Sequence, residues 1–236
     1  RMKTYNIYIN GQWTSSTSKL TFPTINPAKK TQILATFPQG TREDVARAVI
    51  AAEKALPAWK KMPAPRRGEL LLEIASLLKK RKQKLGELVT LEMGKVLKEG
   101  LGDVQEAIDI FEYMAGEGRR LFGHTTPSEL KNKFCCTIRQ PLGVVGLITP
   151  WHFPFAIPAW KLAPALICGN TAVFKPASDT PLCAAALIEI LEEAGIPPGV
   201  VNMITGSGEE VGGALVMHRR LNGISFTGSR ETGEFI

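Results

Sequence analysis

Two β-rich runs, Val144-Val145-Gly146-Leu147-Ile148 and Thr171-Ala172-Val173-Phe174, constrain this chain most, because they are separated by about twenty residues that include an apolar run of helix length. A hairpin does not need that distance. A crossover carrying a helix does, and it lets the two strands lie parallel in a βαβ unit. Each run also ends in residues that a strand has no use for: Thr149-Pro150-Trp151-His152-Phe153-Pro154 after the first and Lys175-Pro176-Ala177-Ser178 after the second. Ligands of open α/β sheets bind where strands end, so Gly143 to Ser178 is where a site is sought.

The same grammar continues to the end of the chain. Strands are expected at Val200 to Ile204 and Gly223 to Phe226, with helices near Pro158 to Ile167, Pro181 to Ala194 and Glu209 to Met217. Alternation of this kind predicts a doubly wound α/β sheet. Gly195-Ile196-Pro197-Pro198-Gly199 ends one helix and starts a strand, and Gly206-Ser207-Gly208 opens the next helix. The last residues, Gly228 to Ile236, read as a helix start without an end, from which the front part of a longer protein is expected.

Upstream, Tyr5 to Trp13 alternates around Asn10-Gly11, a hairpin-turn dipeptide, and is read as a small appended hairpin. Thr41-Arg42-Glu43-Asp44 looks like a capped helix start, with Val45, Val49, Ala52 and Leu56 as its apolar stripe and Pro57 ending or bending it. A second helix is expected from Ala64-Pro65, with Leu70, Leu71, Ile74, Leu77 and Leu78 inward and Gly86 interrupting it. Glu87 to Leu97 and Val104 to Leu121 give two further helices separated by Gly100-Leu101-Gly102. One incomplete domain is expected over residues 1–236: hairpin and arm at 1–40, helical block at 41–133, and a mostly parallel, Rossmann-like sheet at 134–236.

Composition removes several classes. With 44% hydrophobic and 22% charged residues, the chain has ample material for a core. Its apolar runs fall short of the roughly 18 residues that a membrane helix needs, and it opens without an apolar signal core, so a cytoplasmic location and no membrane partner are expected. The net charge of +7 is spread over helical patterns such as Lys79-Lys80-Arg81-Lys82 rather than interleaved with aromatics, which reads as solvated faces and not as a nucleic-acid surface. Four cysteines (Cys135, Cys136, Cys168, Cys183) form no Cys-x-x-Cys pair, and buried reduced thiols are expected rather than disulfides or a metal site.

Neither Gly-x-Gly-x-x-Gly nor a Walker-type Gly-Lys-Ser/Thr run is present. Phe226-Thr227-Gly228-Ser229 and Gly206-Ser207-Gly208 each follow a strand and open a helix, so they can aim backbone N–H groups at a phosphate or simply cap. Lys175 is read either as a surface lysine or as an ammonium held at a strand's carboxyl end for ribose or phosphate. Trp151 and Phe153 wall a pocket or belong to the core, and Lys161 either snorkels or is functional.

Taken together, Thr149 to Pro154, Gly169-Asn170-Thr171, Phe174 to Ser178 and Phe226 to Ser229 resemble the NAD(P)-dependent aldehyde dehydrogenases. The likeness extends in family order to Ile9-Asn10-Gly11-Gln12-Trp13, Asn26-Pro27-Ala28 and Glu92-Met93-Gly94-Lys95. It implies oxidation of an aldehyde or semialdehyde to its acid: a cysteine thiolate attacks the carbonyl, hydride passes to nicotinamide, and a glutamate-activated water hydrolyses the thioester. It also implies that Lys175 and Ser178 hold the adenosine ribose and Ser229 the pyrophosphate. Ile148, Thr149, Pro150, Trp151 and Phe226 would line the cofactor cleft, with Gly208 and Gly228 allowing close approach. Phe153 would face the aldehyde, Lys161 matches a proton-relay lysine, and the parent would be a homodimer or homotetramer.

This sequence departs from the family in three respects. His152 stands where the family usually has an oxyanion-binding Asn, and losing such a donor typically costs on the order of 10²- to 10³-fold in rate. Ser178 stands where many NAD-specific members carry Glu, which removes a repulsion against a 2′-phosphate and predicts NADP tolerance, with Arg230 nearby. The family's nucleophilic cysteine and general-base glutamate have no counterpart in this chain, and none of the four cysteines has the right context. The rival expectation is therefore an inactive, truncated relative that serves as a binding or structural protein.

Overall fold

The computed structural model describes residues 3–236. β1 (Lys3–Thr4) joins β5 (Ile33–Pro38) and β4 (Thr21–Ile25) in a small three-stranded sheet, in the order β1-β5-β4. Between them in sequence, β2 (Ile7–Ile9) and β3 (Gln12–Thr14) form the expected hairpin, with Asn10 and Gly11 both at positive φ, 54° and 75°. That is the backbone hand which matches strand twist in a two-residue turn. The hairpin is not an appendage, however: Tyr8 pairs with Met203, so it extends the main sheet by two antiparallel strands. Asn202 secures the junction, its side chain accepting from Asn10 N at 2.9 Å and donating to Gly199 O at 2.8 Å.

Three helices follow. α1 (Arg42–Lys61) starts at a capping box in which Thr41 and Asp44 satisfy each other's backbone N–H groups. It runs on through Pro57, which therefore does not end it. A proline so near the end sacrifices one hydrogen bond, while Trp59, 1% exposed, anchors the last turn. α2 (Ala64–Met93) likewise continues through Gly86, and α3 (Leu97–Glu117) absorbs Gly100 and Gly102. The separate helix expected at Glu87 to Leu97 therefore does not exist. These glycines make a close crossing: a Cβ on Gly100 would lie 2.6 Å from the Gly86 carbonyl oxygen, and one on Gly86 would lie 2.7 Å from a Leu101 methyl. The real boundary is Gly94, whose φ of 92° ends α2 in the left-handed region.

The helical block stops at Glu117, short of the expected limit at 133. Beyond it, β6 (Thr125–Thr126) and β7 (Cys135–Cys136) form an exposed two-stranded ribbon. The expectation of buried thiols fails there. Cys135 and Cys136 are exposed, Cys168 is half-buried, and Cys183 is buried.

The main sheet contains β8 (Val144–Ile148), β9 (Thr171–Lys175), β10 (Val201–Met203) and β11 (Gly223–Phe226), and its order is β11-β8-β9-β10-β2-β3. The first four are parallel. α4 (Ala156–Ile167) and α5 (Pro181–Glu193) make the crossovers. A π-helical turn (Gly208–Gly212) running into the short α6 (Gly213–Val216) replaces the regular helix expected at Glu209 to Met217, and α7 (Arg230–Phe235) ends the chain.

Alternate residues of each strand face opposite ways. Val145, Leu147, Ala172, Phe174, Val201 and Met203 enter a core shared with α2 to α5, while Val144, Ile148, Val173 and Ile204 meet α1 and α6. The sheet is thus doubly wound. Its strand order reverses between β8 and β11, where the carboxyl ends of adjacent parallel strands leave a crevice. Among the described residues no helix is long and apolar enough to cross a membrane.

Candidate active site and cofactor crevice

The expected cofactor residues gather along the carboxyl edge of this sheet. Thr149 N donates to Lys175 O (3.3 Å) and Thr227 N to Ile148 O (3.1 Å), so the loops after β8, β9 and β11 leave the sheet at one level. Ile148 and Thr149 are buried and Pro150 is half-buried. Trp151 and Phe153 are exposed, at 49% and 39%, so they are not core aromatics.

Lys175 is not a surface lysine. It is 4% exposed, and its ammonium donates to the Pro176 carbonyl at 2.7 Å. Burial pushes its pKa down to about 8, which the Asp179 charge opposes only in part. An ammonium has three donors, and here one is engaged within the protein. The remainder fit hydroxyl or phosphate oxygens, the acceptors that an adenosine-containing cofactor presents.

Ser178 Oγ donates to Gly206 O at 2.8 Å, tying the loop after β9 to the loop after β10. Gly208 opens the π-helical turn, capped by Ser207, and a Cβ at Gly208 would meet nothing within 4 Å, so there is room above it. The Phe226 ring folds back on Gly228, where a Cβ would sit 2.4 Å from a ring carbon. Ser229 Oγ accepts from Thr232 N at 3.3 Å, and so it caps α7. Arg230 is engaged by Glu234 at 2.7 Å.

His152 stands exposed in the loop before α4, its ring edge-on to both Trp151 and Phe153. The loop is held from below. Lys95 Nζ donates to His152 O at 2.7 Å and lies 3.9 Å from the centre of the Phe153 ring. It also faces Asp103 at 3.5 Å. Asp103, in turn, accepts from Phe155 N (3.3 Å) and Ala156 N (2.7 Å), supplying from α3 the cap that α4 lacks at its own start. Burial raises the Asp103 carboxyl above the usual range, and its bonds to the Ala156 N–H and Lys95 oppose this. A cavity of about 470 Å³ opens beside the loop, lined by Lys95, Glu99, Gly102, Glu106, His152 and Phe153 among others.

Lys161 lies elsewhere. Its amine donates to Ser225 Oγ at 2.9 Å in a groove bordered by Leu142, Trp160 and Ile224, and burial lowers its pKa. That groove shares no lining residue with the His152 cavity, so the two expected catalytic residues are not brought together.

Besides Asp103, three charged residues with a part in positioning these elements, Glu92, Arg67 and Lys95, had no role assigned from the sequence. Glu92 accepts from Leu182 N and Cys183 N, both at 2.7 Å, and from Thr24 Oγ1 at 2.8 Å, capping α5 as Asp103 caps α4. Arg67 donates to the carbonyls of Ile167, Trp59 and Met62, closing the ends of α4 and α1. Lys95 lay inside the quoted run Glu92-Met93-Gly94-Lys95. Nothing local in that run distinguishes a buried cap from a solvated acid.

Comparison with known proteins agrees with this geometry. The pattern of the aldehyde dehydrogenase family matches residues 13–236. The alpha-ketoglutaric semialdehyde dehydrogenase of Bacillus subtilis is 45% identical over 233 residues, covering 99% of this chain and 48% of the relative. An NADP dependent enzyme of E. coli superposes with a TM-score of 0.96 at 38% identity, covering 99% of this chain and 48% of that one. A betaine aldehyde dehydrogenase of Staphylococcus aureus in complex with NAD+ does so at 0.95 and 36%, covering 98% and 47%. The chain spans about half the length of the curated relatives it matches. With a doubly wound sheet, a buried lysine at its crevice and the family pattern running over nearly its whole length, this chain belongs to the aldehyde dehydrogenase family.

Proposed function

We propose that this chain is the NAD(P)-binding portion of an enzyme that oxidises an aldehyde or semialdehyde to its carboxylic acid, through a thioester on a cysteine outside the chain. The observation that carries the cofactor half is Lys175, a buried ammonium with free donors at the carboxyl edge of a parallel sheet. When bound, the cofactor supplies the hydride acceptor. In this reading the chain's own residues bind and orient: Lys175 and Ser178 face the ribose, the Gly208 turn and the Gly228-Ser229 loop face the pyrophosphate, and Ile148 to Trp151 with Phe226 wall the cleft. His152 offers one imidazole N–H to the carbonyl oxygen, and Phe153 excludes water beside it. Lys161, bonded to Ser225 in its own groove, would take the proton-relay part that the resemblance implies.

Two of the four cysteines, Cys168 and Cys183, are poor nucleophiles, which supports a nucleophile elsewhere. Burial raises the Cys183 thiol well above its usual value, with Glu92 adding to the effect, and burial also raises Cys168. A thiolate, not a thiol, is the nucleophile. The same observation favours a second reading, in which this chain alone binds the cofactor without catalysis.

The cofactor half is tested by fluorescence titration with NAD and with NADP. Both are expected to bind, because Ser178 puts no carboxylate against a 2′-phosphate. Ser178→Glu is expected to weaken NADP at least about tenfold while sparing NAD, since two like charges a few ångströms apart near a protein surface cost upwards of about 1.4 kcal/mol. Tight NAD binding with no detectable NADP binding by the unaltered chain would sink the specificity argument. Aldehyde-dependent NAD(P)H formation by a protein carrying this chain separates enzyme from binding protein.

A further inference from the structure

We propose that Lys95 and Asp103 are positioning residues that set the place of the His152 loop, acting from helices outside the sheet. This inference rests on the reading of His152 as the group nearest the aldehyde oxygen, and it adds a device for holding it there.

The loop from Trp151 to Phe155 carries the exposed side chains of the site, yet its own side chains make no helix cap: Phe155, just before α4, supplies none. Free N–H groups at a helix start need an acceptor. Asp103 fills that need with one carboxylate oxygen, 2.7 Å from Ala156 N and 3.3 Å from Phe155 N. Its other oxygen faces Lys95, whose side chain is 6% exposed against 0% for Asp103. Lys95 then reaches past Asp103 to the loop itself, bonding the carbonyl of His152 and presenting its charge to the face of Phe153.

The chain of contacts therefore fixes both flanks of the loop: the backbone at 152 through a cation and the backbone at 155–156 through an anion. Each charge is buried and each compensates the other, so loss of either leaves its partner uncompensated and the loop unpinned on one side. A rearrangement is the expected response, because ammonium and carboxylate would each seek water. Gly94 places Lys95 here, since its left-handed backbone turns the chain out of α2 and toward the loop.

Glu92 supplies a control. It lies three residues before Lys95 and caps a helix in the same way, but its partners are Thr24, Leu182 and Cys183, none of them in the His152 loop. General loss of stability follows from removing Glu92, whereas loop displacement follows from removing Lys95 or Asp103.

The test is fluorine NMR of the chain labelled with 5-fluorotryptophan. The four tryptophans give four resonances, and Trp151→Phe identifies the one beside His152. Lys95→Met is expected to shift or broaden the Trp151 signal and leave that of buried Trp59 in place. Asp103→Asn, nearly isosteric, is expected to do the same and carries the test if Lys95→Met does not fold. Lys95→Arg, which keeps the cation, is expected to restore the Trp151 signal, and Glu92→Gln is expected to leave it unmoved. In a catalytically competent protein carrying this chain, Lys95→Met should lower kcat by about 10²-fold, the scale of a 1 Å misplacement. A Trp151 signal unmoved in a folded Lys95→Met or Asp103→Asn chain overturns the proposal. Failure of the unaltered chain to bind NAD or NADP would instead overturn the cofactor reading, and the Trp151 signal would still decide whether the brace exists.

Discussion

Replacing Lys175 by methionine removes the buried ammonium at the end of β9 and keeps most of its stem. Burial lowers the lysine from 10.5 to about 8. At about 1.4 kcal/mol per tenfold change in acidity, holding the charge inside the folded chain at neutral pH costs about 3 kcal/mol. Because the folded pKa lies below the unfolded one, the unfolded chain holds the extra proton. The group's favourable contribution is therefore complete above 10.5 and is lost as pH falls through about 8. Methionine also forfeits the bond to the Pro176 carbonyl, worth about 1 kcal/mol. The variant should consequently be about 2 kcal/mol more stable at about pH 7. Near pH 9.5, where the penalty in the unaltered chain has dropped to roughly 1.4 kcal/mol, the two chains should be nearly equal. Guanidinium unfolding of both chains at the two pH values measures this. A variant that is less stable at neutral pH, or a difference that does not change with pH, would refute the argument. Cofactor affinity should fall in the same variant, since a destabilised site residue is retained for binding and not for folding.

Two structural predictions follow from the helices that frame the site. Arg67→Ala should cost about 3 kcal/mol in denaturant unfolding, because it strips the donors from the Ile167, Trp59 and Met62 carbonyls at buried helix ends. Gly100→Ala should cost about 1–3 kcal/mol in a thermal melt, since its methyl would land 2.6 Å from the Gly86 carbonyl oxygen and force α2 and α3 apart. A neutral outcome would mean that the helices slide freely past each other.

The order of strands and helices from Val144 onward was legible in the residues because side-chain periodicity, turn chemistry and crossover length are local properties. So were the capped helix start at Thr41 and the Asn10-Gly11 turn, whose conformations are fixed within a few residues. The same locality misled the reading of glycine and proline. Gly86 and Gly100 break a helix by propensity, but in a close crossing their missing side chains let two backbones touch, and packing outweighs about 1 kcal/mol of intrinsic preference per glycine.

Resemblance drew attention to Lys175, His152 and Ser229, but their surroundings came from elsewhere in the chain. Tertiary structure decided that Lys175 is buried with donors to spare, that Ser229 caps a helix, and that Lys161 and His152 occupy separate cavities. It also decided that the hairpin completes the sheet. The physical reason is the distance along the chain between the groups that matter: Lys95 reaches a carbonyl 57 residues away and Glu92 caps an amide 90 residues away. A sequence states which groups can donate, accept or carry charge. Only the fold, by removing water from some and not others, determines which of them must find a partner.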